Sequence, residues 1–492
     1  MYEKGSEDNK KLNEAIQKFM STSEIPICIG DKEVVSEHAV HQKMPFNHSK
    51  SLSKFYHASA TQIKEAIDLS IKARNEWALV PLEKRLAIFE KVANLCAGKY
   101  RYDLMAATIL GQGKTVYQAE IDSTCETIDF LRFNVHWAHQ VSQYQPISHS
   151  NIKNSFRLRG CEGFWAAIPP FNFTAIATNL VAAPVMMGNS VLLKPSDNAM
   201  LSNYIFYKIM REAGVPSGVV NFVPAEPNLF MKSIVSNPFL AGVNFTGSKD
   251  VFQNILKTVY SKVDSYRGFP RITGECGGKN FHFIHPVVDL EAAVESTIRS
   301  SFEFSGQKCS ACSRVYVPKS LWPKFKDMMI ERMKTLKIGS PLDDETFTSS
   351  VISEKSFSKV SSYIQMGKED KKEIELIYGG ECDSKSGYFI QPTLFLTTNP
   401  QHKMMKDDIF GPLSTVYVYS DDKVNETLEM INEKSDFALT GAIFSKDEDF
   451  INTAMTKLFD STGNFYINTQ STGAVVGQQP FGGARLSVWL IR

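Results

Sequence analysis

Gly163-Phe-Trp-Ala-Ala-Ile-Pro-Pro-Phe-Asn-Phe-Thr-Ala-Ile-Ala-Thr-Asn-Leu-Val-Ala-Ala-Pro-Val-Met-Met-Gly-Asn-Ser-Val-Leu-Leu193 carries no charged residue. An unbroken run of about 18 apolar residues would suggest a helix through a bilayer. This run is broken by Pro169, Pro170, Pro184 and Gly188, and by Asn172, Asn179 and Asn189. It reads instead as buried strand, loop, helix and strand, and the alternation continues downstream. Ser190–Leu193 is a short apolar strand. Ser196 or Asp197 can cap a helix that runs to Gly214, with Pro216 beyond. Val219–Val223 is a strand, Phe230–Val235 a helix, and Ala241–Phe245 a strand; Thr246-Gly-Ser248 then turns into a helix near Lys249–Val259. Strands alternating with helices mean βαβ units and a parallel sheet. A second α/β stretch runs from Leu290 to about Phe459. In it Leu290, Val294, Ile298 and Phe302 share a helix face, and Arg314-Val-Tyr-Val-Pro318 reads as a strand.

Upstream, residues 1–55 are polar and mixed, as expected of an arm on the surface. Ser59 and Gln62 suit a capping box ahead of Ile63, Ile67 and Ile71. Pro81 fits the first turn of a second helix that Gly98 ends, and Leu104 to about Val141 reads as a further helix. Tyr144 to Gly160 reads as two short strands about a polar turn, projecting as a hairpin. With 54 Lys+Arg against 53 Asp+Glu, the net charge of +1 argues against nucleic-acid or membrane partners held by electrostatics. Eight cysteines scattered over 492 residues do not form a disulfide framework, which points to a reducing compartment. Met1 to Asp8 has no apolar core for a secretory signal, and is too acidic and Arg-poor for a transit peptide.

Several local patterns carry chemistry. Cys309 lies after Gly306 and beside Lys308, on a loop between a helix and a strand, and is a candidate nucleophile. Cys309-Ser-Ala-Cys312 also has the spacing of a redox pair; a zinc site would need a second pair, and there is none. Cys28, Cys96, Cys125, Cys161 and Cys382 read as inert buried residues. Lys308 either lowers the thiol pKa or points to solvent. Glu275, in Gly274-Glu-Cys-Gly-Gly278, is either a solvated turn residue or a general base. Phe245-Thr-Gly-Ser248 is a strand end, glycine turn and helix start, whose N–H groups favour phosphate. No G-x-G-x-x-G lies near it. Gly111-Gln-Gly-Lys-Thr115 imitates the end of a P-loop, but Thr108 stands where the motif needs glycine and a helix precedes it. Asn172-Phe-Thr174 and Asn244-Phe-Thr246 match the glycosylation acceptor but lie in apolar runs.

Taken together, Pro170-Phe-Asn-Phe173, Leu193-Lys-Pro-Ser196, Phe245-Thr-Gly-Ser248, Gly274-Glu-Cys-Gly-Gly-Lys-Asn280, Gly306-Gln-Lys-Cys309, Ile409-Phe-Gly-Pro412 and Pro480-Phe-Gly-Gly483 resemble the aldehyde dehydrogenase superfamily in order and spacing. Gly111-Gln-Gly-Lys-Thr-Val116, Gln118-Ala-Glu-Ile-Asp122, Gly277-Gly-Lys-Asn-Phe-His-Phe283, Cys309-Ser-Ala-Cys-Ser-Arg314 and Gly477-Gln-Gln-Pro-Phe-Gly-Gly-Ala-Arg485 resemble its Δ1-pyrroline-5-carboxylate (glutamate γ-semialdehyde) branch. The likeness runs from near Ile25 to Arg485.

The resemblance implies an α/β fold with a Rossmann-like NAD domain, an α/β catalytic domain and a small oligomerisation hairpin. It divides the chain into N-terminal arm and helices (1–143), hairpin (144–160), NAD-binding core (161–275), catalytic domain (276–460) and a return segment lining the substrate site (461–492). The implied activity is NAD-dependent oxidation of L-glutamate γ-semialdehyde to L-glutamate in proline catabolism. Alternatives are another aldehyde, or a truncated form with little or no activity. The implied catalytic residues are Cys309 (nucleophile), Glu275 (base) and Asn172 (oxyanion amide). Pro169, Lys194, Gly247, Ser248, Lys249, Asp250, Val251 and Asp408 would meet the cofactor; Asp408 stands where the family has glutamate, so its ribose contact is expected to be weaker or water-mediated. Glu126 would take the substrate ammonium. Ser310, Gly473 and Ala474 would take its carboxylate, and Phe173 and Phe481 would sandwich its aliphatic chain. The branch commonly has serine at the position of Ala474, so a raised KM is expected. No metal is implied, and the mitochondrial matrix is. The family also implies a homodimer built through a C-terminal strand, but after Arg485 the chain reads Leu486-Ser-Val-Trp-Leu-Ile-Arg492. The expectation is therefore an altered end that leaves the 144–160 hairpin without its partner strand and weakens the dimer.

Overall fold

The structure, a computed structural model, describes residues 2–36 and 38–489. Two sheets organise it. The 8-stranded sheet has the order Val488–Trp489, Arg271–Glu275, Leu240–Thr246, Phe164–Ile168, Ser190–Leu193, Val220–Phe222, Ile27–Ile29, Lys32–Val34. From Arg271–Glu275 through Val220–Phe222 the pairing is parallel, and antiparallel strands close both edges. The uncharged run that opened the sequence is its centre. Side chains alternate across a strand, and here both faces are apolar. Val191 and Leu193 enter one core with Val181 and Phe206, while Leu192 enters the other with Ile63, Ile67 and Phe230. The chain leaves Phe164–Ile168 for Ser190–Leu193 and Val220–Phe222. It then returns on the other side of Phe164–Ile168 as Leu240–Thr246. Such a reversal is a topological switch point, and the loops beyond the carboxyl ends of its strands open a crevice.

The 7-stranded sheet has the order Ile374–Tyr378, Thr393–Thr397, Leu413–Tyr419, Cys312–Pro318, Asn280–Ile284, Thr440–Phe444, Asn464–Ile467. All pairings but the first are parallel. Helix Leu290–Phe302 crosses between Asn280–Ile284 and Cys312–Pro318 and buries Leu290, Val294, Ile298 and Phe302, the four-spaced face read from the sequence. Full burial of such side chains is worth about 1.5–3 kcal/mol each. The two sheets meet with the carboxyl end of Arg271–Glu275 running within a few residues into the amino end of Asn280–Ile284.

The structure corrects several expectations. Residues 1–55 are not a surface arm: they hold helix Glu7–Phe19 and strands, and Ile25, Ile27, Leu52 and Phe55 are fully buried. The stretch from Leu104 to Val141 is not one helix. Arg101–Gln112 stops at Gly113, which adopts φ 71°, and a Thr115/Gln118 capping box restarts the chain as Val116–Ala119. A π-helix, Glu120–Glu126, then precedes Thr127–Ser142. The strands expected in 144–160 reduce to a single bridge, His149 to Ile152. There the Gln145 side chain replaces a ladder, accepting from Phe156 N (2.9 Å) and donating to Phe156 O (3.1 Å), as polar side chains do when they compete for backbone. Neither Ser196 nor Asp197 caps the following helix through its side chain. They open a 3₁₀ turn, Asp197–Ala199, and Asp197 meets His57 at 3.1 Å. Cys125 and Cys382 are exposed rather than buried. Of the tail, Leu490–Arg492 lie outside the described residues; Val488–Trp489 pairs with Gly274 and Glu275. Among the described residues no helix is long and apolar enough to cross a membrane.

Candidate active site

The loop carrying Cys309 is held from several sides. It leaves helix Leu290–Phe302 through three residues with left-handed backbone, Phe304 (φ 54°), Ser305 (φ 53°) and Gly306 (φ 63°). A Cβ on Gly306 would lie 2.3 Å from the Gly411 carbonyl oxygen, so only glycine fits. Phe304 and Ser305 occupy this region at a cost of about 1–3 kcal/mol each, which neighbouring contacts must offset. Thr348 Oγ1 accepts from Ser305 N (2.6 Å), and Ser305 Oγ donates to Ser349 O (2.5 Å). Gln307 Oε1 accepts from Ile352 N (2.8 Å). Beyond Cys309, Asn280 Nδ2 donates to Cys309 O (2.7 Å) and Ala311 O (2.9 Å), while its Oδ1 accepts from Thr440 N (3.0 Å). The buried Asn172 amide donates to Gln307 O at 3.0 Å, just before the cysteine.

Cys309 itself is half-buried. Burial pushes its thiol well above the usual range, the carboxylates of Glu275 and Asp408 push the same way, and the Ser310 N–H opposes them. The resting side chain is a thiol, so a nucleophilic role requires removal of its proton. Cys312 is buried and free, its thiol pushed up to about 12 by burial and bonded to Arg314 O. It is not disulfide-bonded to Cys309; both are free thiols. Lys308 does not point to solvent: its side chain is 11% exposed and ion-paired with Glu303.

Glu275 ends strand Arg271–Glu275. Its backbone oxygen accepts from Gly247 N (3.0 Å), but the buried Oε1 has no partner, and burial raises the carboxyl to about 7. Glu126 closes the π-helix, a local insertion that recurs at functional sites. Burial raises its carboxyl to about 8; Asp122 and Glu275 add to the effect, while Lys114 and Lys308 oppose it. Lys114, the lysine of the false P-loop, is 2.7 Å from Asp122 in a buried pair and offers nothing to a phosphate. Ser310 Oγ meets Thr472 Oγ1 at 2.8 Å. Gly473 adopts φ 87°, and Ala474 beside it is half-buried. Phe173 lies under the Lys114 ammonium at 4.0 Å, whereas Phe481 is 39% exposed; among the described residues no ring pair joins them.

The residues assigned to the cofactor cluster around the switch point. Pro169 follows Phe164–Ile168, Lys194 follows Ser190–Leu193, and Gly247 and Ser248 follow Leu240–Thr246. Lys194 is 8% exposed and its ammonium donates to Pro195 O (3.2 Å); burial lowers its pKa. Ser248 caps helix Lys249–Tyr260 by accepting from Val251 N (3.5 Å), with Lys249, Asp250 and the exposed Val251 as its first turn. A Cβ on Gly247 would fall 2.6 Å from the Phe245 ring. Asp408 is half-buried, and its Oδ2 lies where a Cβ on Gly277 would be, 1.9 Å away; burial raises its pKa against Lys359 and Lys279. A buried ammonium, a helix start and a strand-end crevice suit the ribose hydroxyls and diphosphate of a dinucleotide. The ligand atoms of Asp370, Glu373 and His402 lie within 4.8 Å of one another, but Asp370 accepts from Glu373 N, Glu373 from Asn399 and His402 from Met404 N, the bonds of a local turn.

Sequence reading missed Asn280, Gln307, Thr440, Thr472 and the Lys114–Asp122 pair. Asn280 and Gln307 lay inside quoted motifs, but nothing local says that their side chains reach the Cys309 loop.

A family model described as the aldehyde dehydrogenase family matches residues 34–489. The chain is similar to Delta-1-pyrroline-5-carboxylate dehydrogenase, mitochondrial, of Danio rerio: 46% identical over 488 residues, covering 99% of this chain and 88% of that one. It is likewise 46% identical to the protein of the same name from Homo sapiens, covering 99% and 86%. Its fold superposes on a crystal structure of the Delta-pyrroline-5-carboxylate dehydrogenase from Mycobacterium tuberculosis bound with NAD. That match has a TM-score of 0.95 and 36% identity, over 99% of this chain and 90% of that one. With its motifs in order, its switch-point crevice and a match spanning nearly its whole length, this chain belongs to the aldehyde dehydrogenase family.

Proposed function

We propose that this chain is an NAD-dependent aldehyde dehydrogenase that oxidises L-glutamate γ-semialdehyde, the open form of Δ1-pyrroline-5-carboxylate, to L-glutamate in proline catabolism. One observation carries the reading: Asn172 donates to Gln307 O in the turn of Cys309, and Glu275 presents a buried carboxyl oxygen without a hydrogen-bond partner, where the carboxyl ends of one sheet meet the amino ends of the other. Cys309, after losing its proton to solvent, attacks the aldehyde carbon; a C–S bond forms and the carbonyl π pair moves to oxygen. The Asn172 amide and the Cys309 N–H hold that oxyanion. NAD, when bound, supplies the acceptor for the hydride that leaves the tetrahedral carbon. Glu275 takes a proton from water, which hydrolyses the remaining thioester and frees Cys309.

The charged ends of the substrate have matching partners. Glu126 is costly to ionise where it lies, and an arriving ammonium would favour its carboxylate form. Ser310 with the backbone at Gly473 and Ala474 receives the carboxylate. Lys194 would hold the adenosine ribose, Gly247 and Ser248 the diphosphate, and Asp408 the second ribose, more weakly than the family's glutamate or through water. That the relatives are named mitochondrial supports an assignment to the mitochondrial matrix; the family's homodimer is the expected assembly, weakened by the altered C-terminal end.

The test is NADH formation by the purified chain across a panel of aldehydes with NAD and NADP. L-Glutamate γ-semialdehyde with NAD should give the highest kcat/KM; a different aldehyde leading the panel would replace the substrate. Cys309→Ala should reduce turnover below detection and leave the Kd for NAD within about twofold, because the thiol contributes to chemistry rather than to binding. Turnover surviving in that variant would sink the mechanism.

A further inference from the structure

A buried charged pair lies under the site and has no part in the scheme above. Lys114 Nζ is 2.7 Å from Asp122 Oδ2, with side chains 2% and 1% exposed. Buried ion pairs are often no more stable than well-packed apolar residues of the same volume, so stability does not explain this one. Its other contacts do. Asp122 Oδ2 accepts from Thr174 N (3.0 Å) and Oδ1 from Ala175 N (2.9 Å). These N–H groups open helix Thr174–Met186, directly after Asn172 and Phe173, and the helix has no side-chain cap at its own N-cap residue. Asp122 is therefore a cap supplied from a distant element. The Lys114 ammonium lies 4.0 Å from the centroid of the Phe173 ring and 4.7 Å from that of Phe304. Phe304 begins the left-handed turn that leads to Cys309. Thus the carboxylate fixes the backbone that carries the Asn172 amide, while the ammonium joins that backbone to the nucleophile's turn. The Asn172 bond to Gln307 O spans the same junction.

We infer that Lys114 and Asp122 are a positioning pair for the acylation step, setting the register between the Asn172 amide and Cys309. The inference rests on the proposed role of Asn172 at the oxyanion. Neither residue of the pair touches substrate; each acts through the segment 172–175 and the turn 304–306.

The experiment measures the NADH burst of the first turnover in Asp122→Asn, Lys114→Met and the double variant, together with the Kd for NAD and the melting temperature. Two aldehydes are used, L-glutamate γ-semialdehyde and an unsubstituted straight-chain aldehyde of the same length. Each single variant should slow the burst roughly 10-fold or more, since small misplacements of a reacting group have effects of this order. The slowing should be equal for both aldehydes, with the Kd for NAD unchanged. The double variant, with no unpaired charge left, should recover melting temperature without recovering the burst. A loss confined to the amino-acid aldehyde would overturn the inference, because the pair would then act only through the charge on Glu126. A folded double variant with a wild-type burst would overturn it as well. If the wild-type chain forms no NADH from either aldehyde, it is the functional reading that fails.

Discussion

The turn that carries Cys309 and the strand end that carries Glu275 are built in opposite ways. Around the cysteine the carbonyls are used while its own N–H stays available: Asn172 donates to Gln307 O and Asn280 to Cys309 O, Thr348 and Ser349 hold the left-handed residues before it, and Thr440 anchors Asn280. Glu275 has a fixed backbone but a carboxyl oxygen with no partner, buried and raised to about 7. In the proposed scheme Cys309 must meet carbon along one line, which suits a position fixed from several sides. A base that activates water needs an open acceptor and a proton affinity near the working pH, and a satisfied carboxylate would have neither. On the proposed roles, the difference teaches that position is secured at one site by hydrogen bonds to the carbonyls, and reactivity at the other by an acceptor left open.

The largest expected effect breaks the unsatisfied side. Glu275→Gln should slow steady-state turnover by about 10²–10⁴-fold while sparing the NADH burst, because the base acts after hydride departure. In the wild-type chain thioester hydrolysis should rise as pH passes through about 7, where the carboxyl ionises, and the variant should lose that limb. Stability should move the other way. The folded chain binds this proton more tightly than the unfolded chain does, so the buried carboxyl removes stability as pH rises from the usual carboxylate range toward 7. Glu275→Gln should therefore match or exceed the wild-type melting temperature at pH 8. A burst lost in parallel with steady-state turnover would show that Glu275 serves acylation too.

A smaller effect is expected on the saturated side. Asn280→Ala orphans Cys309 O, Ala311 O and Thr440 N together. Each buried group left unpaired costs about 1–3 kcal/mol where water cannot enter. Melting temperature should fall, and the burst should slow roughly 10²-fold through displacement of the thiol. The contrast with Glu275→Gln is the point, since one variant loses hydrolysis and keeps stability while the other loses both stability and acylation. If Asn280→Ala melts like the wild type, the loop is not held as described.

How far the two regions could be read from sequence follows the same division. The strands Ser190–Leu193 and Leu240–Thr246 and the helix Leu290–Phe302 declare themselves, because apolar runs and four-residue spacing are local properties. Cys309 was visible as a cysteine between a helix and a strand. Glu275 remained open between turn and base until the ordered motifs were compared with a family. The burial that raises its carboxyl is a property of the packed cleft, which no local pattern encodes. The π-helix Glu120–Glu126 was hidden for the same reason, its sequence being compatible with an ordinary helix. So was the left-handed backbone at Phe304 and Ser305, where no glycine advertises it and Thr348 and Ser349 enforce it from a distant segment.

The smallest effect lies outside both regions, in the return segment. Ser310 Oγ is engaged with Thr472 Oγ1, Gly473 adopts φ 87°, and Ala474 offers no hydroxyl. A hydrogen bond to a charged group is worth about 1.5–3 kcal/mol, but the neighbouring Gly473 and Val475 are exposed, and solvent competes for such a bond there. Ala474→Ser should therefore lower KM for L-glutamate γ-semialdehyde by about tenfold, the lower end of that range, and leave kcat where it was. The unsubstituted aldehyde should be unaffected, because it has no carboxylate to receive. An unchanged KM for both aldehydes would place the carboxylate elsewhere. A changed kcat would mean that the return segment, although mostly exposed, is coupled to the turn of Cys309 through Ser310, and that the saturated region extends further than its hydrogen bonds show.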